Sequence, residues 1–287
     1  MAQYTKDLVP GSLKDKVIVL TSAFVCFGDL ATEAGEALAE KVNGCHGPSP
    51  PRAVFVRTDV TSYDSVLGLF DKAMEIYGKI DHADAGAGIT ESGNVFDPAL
   101  DLSSIRAPPA TKVLNVNMNG YLYVARIASV YLRQNRPDPS ADRSIILVSS
   151  IAGFKETPGL FIYQASKHGV LGLMRSLRLY LLPVHGIRIN AICPWMTMTG
   201  MVTGVQVVWV KTGLPVNSPM DVAVVMGRVL GDRGLNGTAM YVEGGRAWEI
   251  EGKIDELEPL WLGEECSRTL KRGQEVLGSG SGWRKGR

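Results

Sequence analysis

The stretch Tyr163-Gln164-Ala165-Ser166-Lys167 has residue types and a spacing that can do chemistry. A tyrosine and a lysine four apart on a helix share one face and can act as one acid–base unit. A free phenol titrates near ~10, and an ammonium beside it favours the phenolate and lowers that value. Such a tyrosine can pass a proton to or from a carbinol oxygen. An isolated match of this kind is more often a core-facing tyrosine beside a solvated lysine, so its companions decide. Ser150 ends the strand-like run 144–150, which delivers a hydroxyl at its C-terminal edge. Asn117 lies inside a long helical pattern, and 186–194 reads as a buried strand ending at Pro194, with Thr199 shortly after.

With these residues in this order, the chain resembles the short-chain dehydrogenase/reductase family over about 13–245, and more closely its fungal members similar to hydroxyprostaglandin dehydrogenases. The resemblance implies that Tyr163 is the general acid/base and that Lys167 lowers its pKa and holds the nicotinamide ribose. It implies further that Ser150 polarises the substrate oxygen and that Asn117 orders a water in a proton relay. The expected fold is α/β, a doubly wound parallel sheet of Rossmann type in one domain. The expected cofactor is NAD or NADP.

The cofactor half departs from the family pattern. The run 16–21 reads as the first, central strand, after which a glycine-rich loop should let the backbone approach a pyrophosphate at a helix N-terminus. Instead the sequence is Thr21-Ser22-Ala23-Phe24-Val25-Cys26-Phe27-Gly28. In one alignment the loop is degenerate and only Gly28 remains. In the other, which we prefer, 24–29 is the second strand, Asp29 is its ribose-binding acid, and a β-α unit is missing near the N-terminus. Parallel neighbours need a crossover of about a dozen residues, so the two runs are expected not to pair side by side: they fuse, or one leaves the sheet. A natural deletion and a truncated gene model would look the same.

Further on, 53–57 reads as a strand leading to Asp59 and Val60, which by resemblance meet the adenine; Asp59 also suits the N-cap of a helix at 62–77. Gly86-Ala87-Gly88 stands where the family has its Asn-Ala-Gly strand end beside the cofactor ribose. Gly86 replaces the asparagine, and Asp84 puts a charge on an apolar strand. By resemblance the cofactor contacts are then Asp29, Asp59, Val60, Gly88, Asn117, Tyr163, Lys167 and Thr199.

The proline-rich 90–111 reads as a loop near the substrate mouth. Trp195 stands where the family has glycine, and Met196, Met198, Met201, Val205, Val207, Val208 and Trp209 follow in a loop-like stretch. That stretch suits an apolar lid, or equally a segment packed beneath the C-terminus. Residues 1–12 read as a lead, 13–245 as the domain and 246–287 as an extension with a charged helix and a frayed end from 278.

Composition narrows the partners. The 287 residues are 45% apolar with net charge +1 and mean hydropathy +0.06, which suits one domain with a sizeable core. The charge makes no case for nucleic acid or a membrane surface, and a small molecule is expected. Cys26, Cys45, Cys193 and Cys266 show neither metal nor disulfide spacing and read as buried free thiols; the four histidines lack metal-ligand spacing, so no metal is expected. With no signal-like start and no spanning run, the expected place is the cytoplasm. The helix carrying Asn117 is apolar on more than one side, which suits a homo-oligomer interface or core packing alone.

The expected activity is interconversion of an alcohol and a ketone on a small apolar molecule with NAD(P), in fungal secondary metabolism. The alternatives are a cofactor-independent isomerase or cyclase on the same fold, or an inactive product of a truncated gene model.

Overall fold

The computed structural model describes residues 3–5, 13, 16–19, 24–44, 50–135, 138, 140–278 and 280. In chain order these form β1 (Gln3–Tyr4), β2 (Val17–Val19), β3 (Phe24–Asp29), α1 (Thr32–Asn43), β4 (Ala53–Arg57), α2 (Tyr63–Tyr77) and β5 (His82–Ala85). Then come α3 (Lys112–Leu114), a π-turn (Asn115–Asn119), α4 (Gly120–Tyr131), β6 (Ser144–Val148), α5 (Phe161–Arg178), α6 (Leu181–His185) and β7 (Arg188–Pro194). The chain closes with α7 (Thr203–Lys211), α8 (Pro219–Gly231), β8 (Ala239–Glu243), β9 (Arg246–Glu249), α9 (Glu251–Leu262) and α10 (Glu264–Leu277).

One sheet runs in the order β1-β9-β8-β7-β6-β5-β2-β3-β4, parallel from β8 to β4. This is the doubly wound arrangement expected. Its middle strands read as continuous apolar runs because both faces are covered. On β6, Ile145 and Leu147 pack with Phe70, Tyr121 and Leu171, while Ile146 packs on the opposite face with Ile18, Ile192 and Val225. The antiparallel β9 and β1 extend the edge with residues from outside 13–245.

The expectation that the first two runs cannot be parallel neighbours is overturned. β2 and β3 pair in parallel, Val17 opposite Phe24 and Ile18 opposite Val25, and no helix lies between them among the described residues. The dozen-residue crossover applies to strands that overlap fully beneath a helix. Here β3 starts beside the first residue of a three-residue strand, so the chain has to return only ~7 Å along the strand and ~5 Å across. The connecting residues 20–23 lie outside the described residues, and four residues reach ~13 Å. β3 sits between β2 and β4, which is the placement of the preferred alignment. A Cβ at Gly28 would come within 2.4 Å of Thr58 Oγ1, so this glycine serves close packing of β3 on the chain after β4.

Three smaller expectations are also corrected. Ser62, not Asp59, caps α2, accepting from Ser65 N at 3.2 Å. The stretch expected to be loop-like contains α7, an element with no buried residue, whose valines give it apolar character all round. Cys26 and Cys193 are buried free thiols, but Cys266 is exposed; Cys45 and most of the segment after 278 lie outside the described residues.

The C-terminal extension packs on the body. Glu251, buried at the start of α9, forms a two-pronged ion pair with Arg175 at 2.9 and 2.8 Å and reaches Arg178 at 3.3 Å, both on α5. Before β5, Asp81 is paired with Arg143 at 2.8 Å and Lys79 at 3.0 Å.

Asp84 is the exception to this pairing. Strand alternation turns it away from Ala83 and Ala85, beside Ile146. Both of its oxygens are buried without a hydrogen-bond partner, and burial pushes its pKa well above the carboxylate range. The folded chain therefore keeps Asp84 protonated while the unfolded chain ionises it above about pH 4, so its cost grows as pH rises through that window. Asp84→Val is expected to stabilise the protein by ~1–3 kcal/mol at pH 7, with the gain shrinking toward pH 4. Thermal unfolding at the two pH values checks this; an equal or negative shift at pH 7 contradicts it.

Candidate active site

The C-terminal edge of β6 grips the catalytic helix at one lysine. Lys167 is 3% exposed, its Nζ donates to Val148 O at 2.8 Å and to Tyr121 Oη at 3.3 Å, and it stands 4.9 Å from the Tyr121 ring centroid. Its own carbonyl accepts from Ser149 Oγ at 2.9 Å. Lys167 and Tyr163 share a face of α5 because they are one turn apart, and Nζ lies 5.6 Å from the Tyr163 ring centroid.

Ser150 follows β6 and starts the short turn Ile151–Gly153, its Oγ accepting from Ala152 N at 3.2 Å and donating to Pro194 O at 3.5 Å. Its hydroxyl lowers the pKa of the Tyr163 phenol. Asn117 lies at the middle of the π-turn, a helix irregularity often found at functional sites. Its Oδ1 accepts from Ile89 N at 2.9 Å, and its Nδ2 donates to Ile89 O at 2.8 Å and Ser166 Oγ at 3.1 Å. Ser166 Oγ in turn donates to Tyr163 O at 2.6 Å. The four residues named from the sequence thus meet around α5.

Electrostatics correct one expectation. Tyr163 is not lowered: burial raises its pKa above the ordinary phenol value, and only the Ser150 hydroxyl pulls it back. Burial brings Lys167 down to about 8. The lysine spends its donors on Val148 and Tyr121, so desolvation outweighs its effect on the phenol.

The nucleotide-side residues are more dispersed. Asp29 closes β3, exposed, with Oδ1 accepting from Ala31 N at 2.9 Å. Asp59 is taken up by its own turn, accepting from Thr61 N at 2.9 Å and Thr61 Oγ1 at 2.7 Å, and these bonds lower its pKa. Val60 lines a cavity of about 40 Å³ with Gly28, Thr58, Gly86 and Tyr121, at the C-terminal ends of β3, β4 and β5. Thr199 is exposed and caps the turn Gly200–Val202, accepting from Met201 N at 3.4 Å; it is not drawn into the network around α5.

A nicotinamide nucleotide fits one end of this arrangement well. A Cβ on Gly88 would stand 3.5 Å from Asn117 Oδ1 and 3.6 Å from Lys167 Nζ, so glycine keeps the approach to the ammonium open for ribose hydroxyls. The cavity beside Val60 lies where open α/β sheets take ligands, although its volume is that of about one water-sized group, so a purine requires the side chains around it to yield. Residues 20–23, between β2 and β3, lie outside the described residues.

Sequence reasoning missed Tyr121 and Glu91. Tyr121 is one turn from Asn117, so helical spacing could have found it; its hydroxyl donates to Val148 O at 2.9 Å. Glu91 accepts from the Ile162 and Tyr163 amides at 3.1 and 2.5 Å, across a sequence separation that leaves no local signal.

The model of the short chain dehydrogenase family matches residues 16–207. The chain is 32% identical over 251 residues to the short-chain dehydrogenase/reductase ascJ of Acremonium egyptiacum, covering 85% of this chain and 83% of that one. It is 28% identical over 280 residues to the 5'-hydroxyaverantin dehydrogenase of Dothistroma septosporum, covering 91% and 88%. A crystal structure of a dehydrogenase/reductase from Sinorhizobium meliloti shares the fold, with TM-score 0.66, 22% identity and coverage of 81% and 95%. The sheet order, the tetrad around α5 and the matched span agree: the chain belongs to the short-chain dehydrogenase/reductase family and is an NAD(P)-dependent oxidoreductase.

Proposed function

We propose that the protein interconverts a secondary alcohol and a ketone on a small, largely apolar molecule. The carrying observation is the convergence of Tyr163 and Lys167, whose Nζ lies 5.6 Å from the phenol ring, with Asn117 joined to the Tyr163 carbonyl through Ser166. The nicotinamide nucleotide, when bound, supplies or accepts the hydride. Tyr163 moves the proton at the carbinol oxygen, and Ser150 donates to that oxygen as negative charge develops. Lys167 and the strand end at Gly88 would hold the nicotinamide ribose, and Asn117 fixes Ile89 beside them.

The apolar substrate class rests on the walls. Phe96 and Phe161 form an edge-to-face pair at 5.0 Å, two residues before Tyr163, and Trp195 and Trp209 form another at 5.2 Å beyond Pro194. The Trp195–Trp209 pair brings α7 toward the catalytic side, which favours the lid reading of this segment. The fungal relatives, one named for 5'-hydroxyaverantin, support a role in secondary metabolism. Asp29 favours NAD, because a carboxylate at this strand end repels a 2′-phosphate.

Calorimetric titration of the folded protein with NADH and NADPH tests this reading. Micromolar binding with NADH preferred, and loss of turnover in Tyr163→Phe with binding retained, are the expected outcomes. Failure of both nucleotides to bind would leave proton-transfer chemistry without hydride, the isomerase or cyclase reading, or an inactive chain.

The pH profile carries a second test. The charged form of Lys167 prevails below about pH 8 and is the form that binds hydroxyls and favours phenolate. Reductive kcat/KM, which reports the free enzyme, is expected to fall as pH rises through about 8. A flat profile across that pH, or the same limb in Lys167→Met, contradicts the assignment.

A further inference from the structure

The first turn of α5 has no local cap. Leu160 precedes it and offers no side-chain acceptor, yet the amides of a first turn need partners. Glu91 supplies them from the segment after β5: Oε1 accepts from Ile162 N at 3.1 Å and Oε2 from Tyr163 N at 2.5 Å. The carboxylate also lies at the positive end of the helix dipole, where it is favoured.

The same segment is held at two further points. Ile89, two residues earlier, has both its amide and its carbonyl bonded to Asn117. Phe96, five residues later, packs edge-to-face on Phe161 in that same first turn. Two of these attachments within eight residues join the loop directly to the helix that carries Tyr163 and Lys167, and the third reaches it through Asn117 and Ser166.

We propose that Glu91 is a positioning residue: its carboxylate latches the loop 86–111 to the first turn of α5 and so sets where the Tyr163 hydroxyl stands relative to Ser150 and the substrate wall. Glu91 touches the backbone of Tyr163, not the reacting atoms. The latched loop then forms a fixed wall, bearing Phe96, beside the first turn of α5. As far as turnover is concerned, the inference rests on the oxidoreductase reading above.

Two variants and two measurements test it. Glu91→Ala removes both acceptors, whereas Glu91→Gln keeps one acceptor oxygen. Hydrogen–deuterium exchange of 88–96 and 161–163 is expected to accelerate about tenfold in Glu91→Ala and to return most of the way in Glu91→Gln. In steady-state assays, Glu91→Ala is expected to lower kcat about tenfold or more, as a misplaced acid–base group does, with nucleotide KM nearly unchanged and kcat largely recovered in Glu91→Gln. Wild-type exchange in Glu91→Ala overturns the latch. Faster exchange with kcat unchanged overturns the positioning role. A wild-type protein that turns over no substrate with either nucleotide retires the oxidoreductase reading, and the exchange experiment alone then decides on the latch.

Discussion

A buried ammonium is the constraint on which the rest of the site depends. Lys167 lies almost wholly out of water, and a charge there persists only if fixed dipoles replace its hydration. The Val148 carbonyl and the Tyr121 hydroxyl and ring do this, which requires the end of β6, the start of α4 and the middle of α5 to converge within ångströms. Glycines make the approach possible: a Cβ at Gly153 would meet Ser149 Oγ at 2.5 Å and Lys167 O at 2.9 Å. The strand-to-helix contact that holds Lys167 also places Ser150, the next-but-one residue after Val148, against Tyr163.

The helix that bears this lysine is secured at both ends by carboxylates from distant parts of the chain. Glu91 takes the free amides of its first turn, and Glu251 pairs with Arg175 and Arg178 in its last. Cations near a helix C-terminus and an anion at its N-terminus both run with the helix dipole. The extension beyond 245 therefore contributes to the placement of the catalytic side chains through Glu251, while β9 adds a strand to the sheet.

The two halves of the sheet differ in finish. Around β6 and β7, buried polar groups are matched: Arg188 pairs with Asp142 through two bonds of 2.8 Å, and Asn190 bonds Leu235 and Thr238. On β5, Asp84 has no partner and His82 has one, Ser144 Oγ at 2.8 Å, with its second nitrogen unmatched. The unmatched groups lie next to β2, the strand from which the chain passes to β3 with no helix among the described residues. Even so the order β2-β3-β4 is kept by parallel ladder pairing on both sides of β3.

What the sequence determined by itself is what is local or periodic. The apolar runs give the parallel strands, helical spacing places Tyr163 over Lys167, and the positions of Ser150 and Asn117 relative to strand and helix ends make the tetrad legible. Tertiary structure alone decided how β2 and β3 pair, because a crossover rule read from residue counts knows neither strand length nor register. It alone decided the direction of the Tyr163 shift, since burial and the lysine's competing partners are properties of packing, not of spacing. It alone recruited Glu91 and Glu251, whose partners lie more than 70 residues away, because a carboxylate seeks unmatched donors in space, and nothing in the chain near it says where those will be.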